Sequence, residues 1–417
     1  MHDKMCNDDL YVPADFELLS SKKLTHRAIM WFYSQVLRPH ERSGIIILLV
    51  LATILVSWSG FGKIQAAVQD DTIRIAIVKS APEITVAGDG IVVTNTAGEP
   101  LTLSIPALIK PVSDGLMVDG QFYKKLSFSS ETVVYINNKP YRGSAELSLV
   151  DKGILVVNQL PLEEYLVGLI NCEISSSWPI EAVKSQAIIA RTYAVNRRIA
   201  RMGAPYHMES SVIDQVYDGS SIEDSRARRA VQETEGEVLT YGGGVIQAYY
   251  HSSCGGRTEA SENVWGAPLP YLKGVECQYC FSSPTATAWE YKITLKDLED
   301  RLRAGGYKIS GLTAIKPGIP NGRGRLKQVL LQATVGSTAV TGDQFRKVVG
   351  YGLIKSTRFT VTPGAKKDLL FSGTGNGHGV GLCQWGAKQR AVDGFTSGEI
   401  LAYYYPGAEL KKLSDMN

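Results

Sequence analysis

From Thr72 to about residue 158 apolar and polar positions alternate in short runs. "TIRIAIV", "ITVAGDGIVVTN", "LTLSIPALI", "ETVVYINN" and "AELSLVDKGILVVN" are β-branched runs broken by Gly-Asp-Gly, Asn-Asn-Lys-Pro and Asp-Lys-Gly, and they predict strands and turns. The period then changes. In "LPLEEYLVGLI", Leu162, Tyr165, Leu166, Leu169 and Ile170 form one apolar helical face. A second helix is predicted from about Pro179 to about Met202, because proline is tolerated in a first turn and Glu181 suits the positive helix end. Its face of Val183, Ala187, Ala190 and Ala194 is small enough for close approach by another element. Beyond residue 205 the pattern is mixed. "RARRAVQETEGEVLTYGGGVIQAYYHSSCGG" predicts a short helix, a strand, a glycine turn and a further strand, and "TLKDLEDRLRAGG" a helix stopped by glycine. Strands follow in "LKQVLLQATVGSTAVTG", and "GTGNGHGVGLCQWGA" leads into a last helix, "CQWGAKQRAVDG". No repeat of fixed period occurs. The class expected is α+β: a β-rich part over 72–158 leading into a mixed helix and strand part with a groove over 159–410.

One stretch departs from this pattern altogether. Gly44 to Gly62, "GIIILLVLATILVSWSGFG", carries no charge and has the length of a bilayer-crossing helix, whereas a buried core helix rarely lacks all charge over such a length. Lys22, Lys23, Arg27, Arg38 and Arg42 precede it, so residues 1–43 are expected to be a basic cytoplasmic leader and the bulk of the chain to be exported beyond a linker at 63–71. Cleavage after Ala67 would put Gln65 where a small residue is preferred, so a retained anchor and a cleaved signal both stay open. Met30 is an alternative start that would leave an ordinary basic leader.

Composition changes the picture little. The chain has 417 residues, a formal net charge of +3 and 20% charged residues, with no basic block and no basic–aromatic stripe, so nucleic acid is not an expected partner. Its 41 glycines and 20 tyrosines suit strands, turns and a groove for a polar ligand.

The candidate chemistry begins at Glu173 in "LINCEISSSWPIEAVKSQAIIARTYA". It is expected in the loop between the two predicted helices, among Cys172, Ile174 and Trp178. Partial burial there would raise a carboxylate's pKa and suit it to act as a general acid. The alternative is a solvated loop residue or a support for the second helix start.

Three blocks together resemble the SpoIID family, that of stage II sporulation protein D and the amidase enhancers. They are "LPLEEYLVGLINCEISSSWPIEAVKSQAIIARTYA", "AYYHSSCGGRTEASENVWGAPLPYLKGV" and "GNGHGVGLCQWGAKQRA", in the family's order and within residues 72 to 410. The resemblance implies a peptidoglycan lytic transglycosylase acting on glycan strands that lack stem peptides. It puts the family's single acid/base on Glu173, with no cofactor needed for catalysis. One carboxylate suffices for such an enzyme, because the substrate's own C6 hydroxyl replaces the water or nucleophile of an ordinary glycosidase. The resemblance also implies glycan strands and a cell-wall amidase as partners, or a non-catalytic wall-binding role that enhances such an amidase. Lys184, Arg191, Tyr193, Ser253, Glu259, His378 and Gln384 lie in its blocks and become substrate-binding candidates. Arg191 and Tyr193 sit two apart on a helix, so at most one is expected to face the groove, and Lys184 is open to a plain surface role. His378, flanked by glycines that permit close approach, is either a saccharide contact or a turn histidine bonding backbone. The glycines lack the Lys-Ser/Thr of a phosphate loop and the strand–helix context of a dinucleotide fingerprint.

Of six cysteines, five follow the apolar stretch. His251-x2-Cys254 and Cys277-x2-Cys280 have the spacing of a closed structural zinc site. A disulfide among Cys254, Cys277 and Cys280, or unlinked thiols, are the alternatives in an oxidising compartment. Cys172 and Cys383 are expected to be core thiols, with a cysteine hydrolase using His378 as the rival reading.

Overall fold

Strand Thr72–Ala81 turns Ile73 and Ile75 inward and pairs antiparallel with Gly153–Pro161, Thr72 opposite Pro161. In this computed structural model residues 71–416 are described, apart from 152, 213, 283–287 and 365–367. The leader and the expected span at 44–62 lie outside the described residues. Among the described residues no helix is long and apolar enough to cross a membrane.

The Thr72–Ala81 and Gly153–Pro161 pair lies within a seven-stranded sheet, which continues through Ser144–Val150, Lys125–Ser129, Val92–Asn95 and Pro100–Leu101, with Met208–Glu209 on the other edge. A six-stranded sheet runs in the order Lys139–Tyr141, Val134–Ile136, Ile84–Ala87, Ala107–Val112, Gly115–Val118, Gln121–Tyr123. Ile84, Val86, Ile109 and Leu116 of this sheet share one core with Leu126, Phe128, Leu147 and Val156 of the first. The stretch "ITVAGDGIVVTN" is therefore divided between two sheets. Gly88 and Gly90, at φ of 144° and 59°, make the turn that carries the chain across.

Helix α1 (Leu162–Glu173) leaves the last of these strands and buries Leu162, Tyr165, Leu166, Leu169 and Ile170, the face the periodicity predicts. It does not stop before Glu173. The Ile174 N–H still donates to the Ile170 carbonyl at 2.9 Å, so Glu173 is the final helical residue rather than a loop residue. Helix α2 (Ile180–Ala200) starts after Pro179 and ends two residues short of Met202. Ala187, Ala190 and Ala194 face the sheet core, while Ile188 and Ile189 belong to a second core, so α2 is the wall between them. Helix α3 (Ser225–Glu233), capped by the Asp224 carboxylate on the Arg226 and Ala227 N–H groups, packs against α1 and α2.

The second core gathers Leu239, Ile246, Leu272, Leu382, Ile400 and Tyr405. Between Cys280 and His378 the chain builds a lobe with a third core, in which Trp289, Leu298, Val329, Phe345 and Phe371 meet. The short helix α4 (Ser261–Trp265) precedes this lobe, which contains α5 (Leu295–Ala304), α6 (Gly342–Val349) and two three-stranded sheets. Helix α7 (Gln384–Val392) is not the last helix. Helix α8 (Ser397–Tyr404) follows, started by a capping box in which Thr396 and Glu399 each bond the other's backbone N–H. The architecture is α+β.

Candidate functional site

The carboxyl of Glu173, at the C-terminal end of α1, is a hydrogen-bond partner of the Tyr250 hydroxyl. Tyr250 opens the two-residue strand Tyr250–His251, which pairs in parallel with Leu382–Cys383, Tyr250 opposite Leu382 and His251 opposite Cys383. Behind this contact runs a directed chain. The buried Tyr165 hydroxyl donates to Gln215 Oε1 at 3.0 Å, and Gln215 Nε2 donates to the Tyr250 oxygen at 3.2 Å. The Tyr250 proton is left for Glu173. Burial, and then the charge of Glu173, hold the Tyr250 phenol well above its ordinary value, so it stays a donor.

The loop after Glu173 is pinned. Asn171 Oδ1 accepts the Ser176 N–H at 2.9 Å, and Asp224 Oδ2 accepts from Asn171 Nδ2 at 2.7 Å and from the Ser176 hydroxyl at 2.6 Å. Arg226 holds the carbonyls of Ser176 and Trp178 at 2.9 and 3.0 Å. Trp178 is thereby set against Trp385 of α7, with ring centroids 5.0 Å apart at 54°. Sequence reasoning did not single out Trp385. Its signal was the aromatic residue after Gln384 in the third block.

The remaining candidates scatter. Arg191 is fully buried and does not reach a groove: its guanidinium forks onto Glu163 with two 2.7 Å bonds and holds the Glu237 and Val231 carbonyls. It clamps α1, α2 and the end of α3 together. Tyr193 is also interior, donating to Asp214 at 2.9 Å. Lys184 lies half-buried between Glu181 at 2.9 Å and Glu233 at 3.6 Å. Glu259 is buried and accepts from the Ala260 N–H, Asn263 and Asn321, each at 2.8 Å, tying the body to the lobe. Gln384 donates to Gln186 of α2 at 3.2 Å, and buried Ser253 lies beside the Cys280 sulfur. For Arg191→Ala we expect a stability loss of about 3 kcal/mol, from orphaned carbonyls and an unpaired carboxylate, measured by denaturant unfolding. Loss of activity without loss of stability would show that the residue acts on substrate instead.

His378 is buried, and its Nδ1 accepts the Val380 N–H at 3.0 Å. His251 Nδ1 lies 3.2 Å from the Val380 carbonyl, so the same residue sets opposite tautomers on two rings whose centroids are 5.6 Å apart. Burial, with Arg325 nearby, lowers His251 to about 3; burial and then His251 hold His378 well below the ordinary range. Both rings are neutral in the fold, whereas the unfolded chain protonates them below about pH 6.5. Their contribution to stability is complete above that pH and is lost as pH falls toward the folded values. We expect stability to fall from pH 6.5 to 5 by about 1.4 kcal/mol per pH unit for each histidine, and by about half the combined slope in His378→Gln. Calorimetry between pH 7 and 5 checks this, and a flat profile would sink it.

Four sulfurs converge nearby. Cys254, Cys277, Cys280 and Cys383 are all buried and place their Sγ atoms within 4.8 Å of one another, a set that can hold a metal ion. The four residues that converge differ in one member from the set expected by spacing. His251, whose Nδ1 faces the Val380 carbonyl, is not among the four converging groups, and the parallel pairing delivers Cys383 instead, from about a hundred residues beyond Cys280. No disulfide joins the described cysteines, and Cys254 and Cys280 sulfurs stand 3.5 Å apart, well beyond bonding distance. A tetrahedral zinc–thiolate site needs sulfurs about 3.8 Å apart, which this set approaches. The surroundings also fit thiolates. N–H groups of Cys254 and Gly386 point at Cys383 Sγ from 3.3 and 3.4 Å, the Gly256 N–H points at Cys254 Sγ from 3.3 Å, and the Tyr404 hydroxyl meets Cys277 Sγ at 3.2 Å. Cys172 stands apart, its sulfur 3.9 Å from the Gly168 carbonyl of its own helix, and Cys383 is committed to the cluster, so the cysteine-hydrolase reading loses its thiols.

The family model described as SpoIID, stage II sporulation protein, matches residues 150–241, which carry α1, α2, α3 and Glu173. The stage II sporulation protein D of Bacillus subtilis is 30% identical over 337 residues, covering 75% of this chain and 95% of its own length. The chain belongs to the SpoIID family. An uncharacterized protein of Brachyspira hyodysenteriae is 31% identical over 306 residues, 73% of this chain and 81% of its own. The Bacillus subtilis amidase enhancer, a longer protein, is 30% identical over 295 residues, 59% of this chain and 40% of its own length.

Proposed function

We propose that this SpoIID protein is a lytic transglycosylase that cuts peptide-free peptidoglycan strands, with Glu173 as its one acid/base. The observation that carries the reading is the directed chain from Tyr165 through Gln215 and Tyr250 to Glu173, which fixes one carboxyl at the negative end of the α1 dipole. Two carboxylates among the described residues at this end of the fold are already spent. Asp224 caps α3 and holds Asn171 and Ser176, while Asp214 is held by Arg197 at 3.1 Å, Arg201 at 3.3 Å and Tyr193. Neither is available as the second carboxylate of an ordinary glycosidase.

In the proposed reaction Glu173 gives its proton to the O4 of the departing N-acetylglucosamine as the bond from muramoyl C1 breaks. The C6 hydroxyl of the same muramoyl residue then closes on C1, and its proton returns to Glu173. No water is consumed, and the products are a 1,6-anhydromuramoyl end and a free 4-hydroxyl. The lobe and the β-rich part over 72–158 support this site, and the site works outside the cytoplasmic membrane, on a chain anchored by 44–62 or secreted. The four cysteines would hold one structural zinc ion, which supplies a cross-link and no open coordination position.

Mass spectrometry of products from peptide-free strands incubated with the full-length chain tests the reading. Anhydromuramoyl ends support it. Ordinary reducing ends would mean a hydrolase. Intact strands that stay bound would favour a wall-binding partner of an amidase, in keeping with the similarity to the Bacillus subtilis protein named amidase enhancer.

A further inference from the structure

We propose that Trp178, Trp385 and Lys388 form a muramic-acid subsite beside Glu173, in which the indoles take a sugar face and the lysine reads a free lactyl carboxylate. The inference rests on the glycan-cleaving reading above and adds to it the means by which peptide-free strands are told from peptide-bearing ones.

Two separate elements build the ledge. Trp178 is five residues after Glu173, on the loop that Arg226 holds. Trp385 opens α7, and its N–H bonds the Ser252 carbonyl at 3.1 Å, two residues beyond the tyrosine that faces Glu173. The ledge is therefore built from two segments, one that follows the proposed acid in the chain and one bonded two residues beyond its tyrosine partner. Both indoles are half-buried, each keeping part of its surface open to solvent. Flat apolar faces with a polar rim suit the C–H face of a pyranose.

Lys388 supplies what a neutral sugar would not need. It lies one turn along α7 from Trp385, and its ammonium sits 4.9 Å from the Trp178 centroid and 4.5 Å from that of Trp385. Lys184 on neighbouring α2 has two carboxylate partners, whereas no carboxylate among the described residues pairs with Lys388. Among the described residues the ammonium rests on these π faces, a weak hold that a flexible stem exchanges readily for a true anion. Muramic acid carries that anion only when its stem peptide is gone. With the peptide attached, the lactyl group ends in a neutral amide, which offers the lysine no charge and crowds the ledge. A carboxylate reader one helical turn from a stacking surface therefore selects the denuded strand at the residue whose C1 is to be broken.

The test uses the full-length chain carrying Glu173→Gln, so that bound strands persist, titrated by tryptophan fluorescence. Three probes separate the contributions: a tetrasaccharide of alternating N-acetylglucosamine and N-acetylmuramic acid, the same compound with its lactyl groups as methylamides, and chitotetraose. The free acid is expected to bind about tenfold more tightly than the methylamide, and this preference shrinks as salt rises. Adding Lys388→Met removes the preference while chitotetraose binding is unchanged, and Lys388→Arg restores part of it. Trp385→Ala weakens all three probes alike. A preference that survives Lys388→Met, or equal binding of acid and methylamide to the Lys388 protein, overturns the lysine's role and leaves the glycan reading standing. Failure to bind any of the three overturns the subsite and the glycan reading together.

Discussion

Glu173→Gln is expected to lower cleavage of peptide-free strands by about a thousandfold or more while glycan binding stays within a few-fold, since general acid–base catalysis contributes about 10²–10⁴. Glutamine keeps the shape and the ability to accept from the Tyr250 hydroxyl, but it has no proton to give to the leaving O4 and no basic oxygen to take one from the C6 hydroxyl. Both halves of the proposed reaction fail together. Anhydromuramoyl ends are counted by mass spectrometry, and binding is followed separately with the same strands. If the variant keeps more than a tenth of the activity, Glu173 is not the acid/base. Tyr250→Phe gives a smaller loss with its own signature. Its hydroxyl bonds the carboxylate form of Glu173, so removing it moves the alkaline limb of the rate profile to higher pH. A uniform loss across all pH values would mark Tyr250 as merely structural.

Losing the proposed metal, or Cys383, is expected to lower stability by roughly 4 kcal/mol, which shifts Tm by about 5 °C for a unit of this size. The reason lies in where the four sulfurs come from. Cys277 and Cys280 stand at the entry to the lobe, Cys383 just past its exit, and Cys254 on the body, so one ion would staple both ends of a long excursion to the core that α2 walls off. Elemental analysis of the purified full-length chain should return about one zinc per chain, falling well below that in Cys383→Ser and unchanged in Cys172→Ser. A Cys383→Ser protein with full zinc content and unchanged Tm would refute the four-cysteine set.

Local rules carried the reading of this chain a long way. The period of Leu162, Tyr165, Leu166, Leu169 and Ile170 marks α1 because a helix repeats every 3.6 residues whatever it packs against. Pro179 marks the start of α2, and the Cys277-x2-Cys280 pair marks half of the four-sulfur cluster, for equally local reasons. The missed final helix was legible too, in Thr396 and Glu399, whose three-residue spacing is the capping box. That cap lies two residues past Gly394, where the helix expected to be the last one ends.

What sequence alone determined is thus the class of fold, the helices around Glu173, the family blocks and three of the four sulfurs. Only the tertiary structure decided the company each side chain keeps. Arg191, a binding candidate by its block, is buried on Glu163, because α1 and α3 close over the face of α2 that carries it. Cys383 joins the other three cysteines because a parallel strand pair brings its segment beside Tyr250–His251, and nothing in either neighbourhood encodes that register. The indoles of Trp178 and Trp385 meet although they belong to separate segments, one held by Arg226 and the other by Ser252. Spacing along a chain fixes which residues share a face of one element, while contacts between distant elements depend on cores that form only when the whole chain folds.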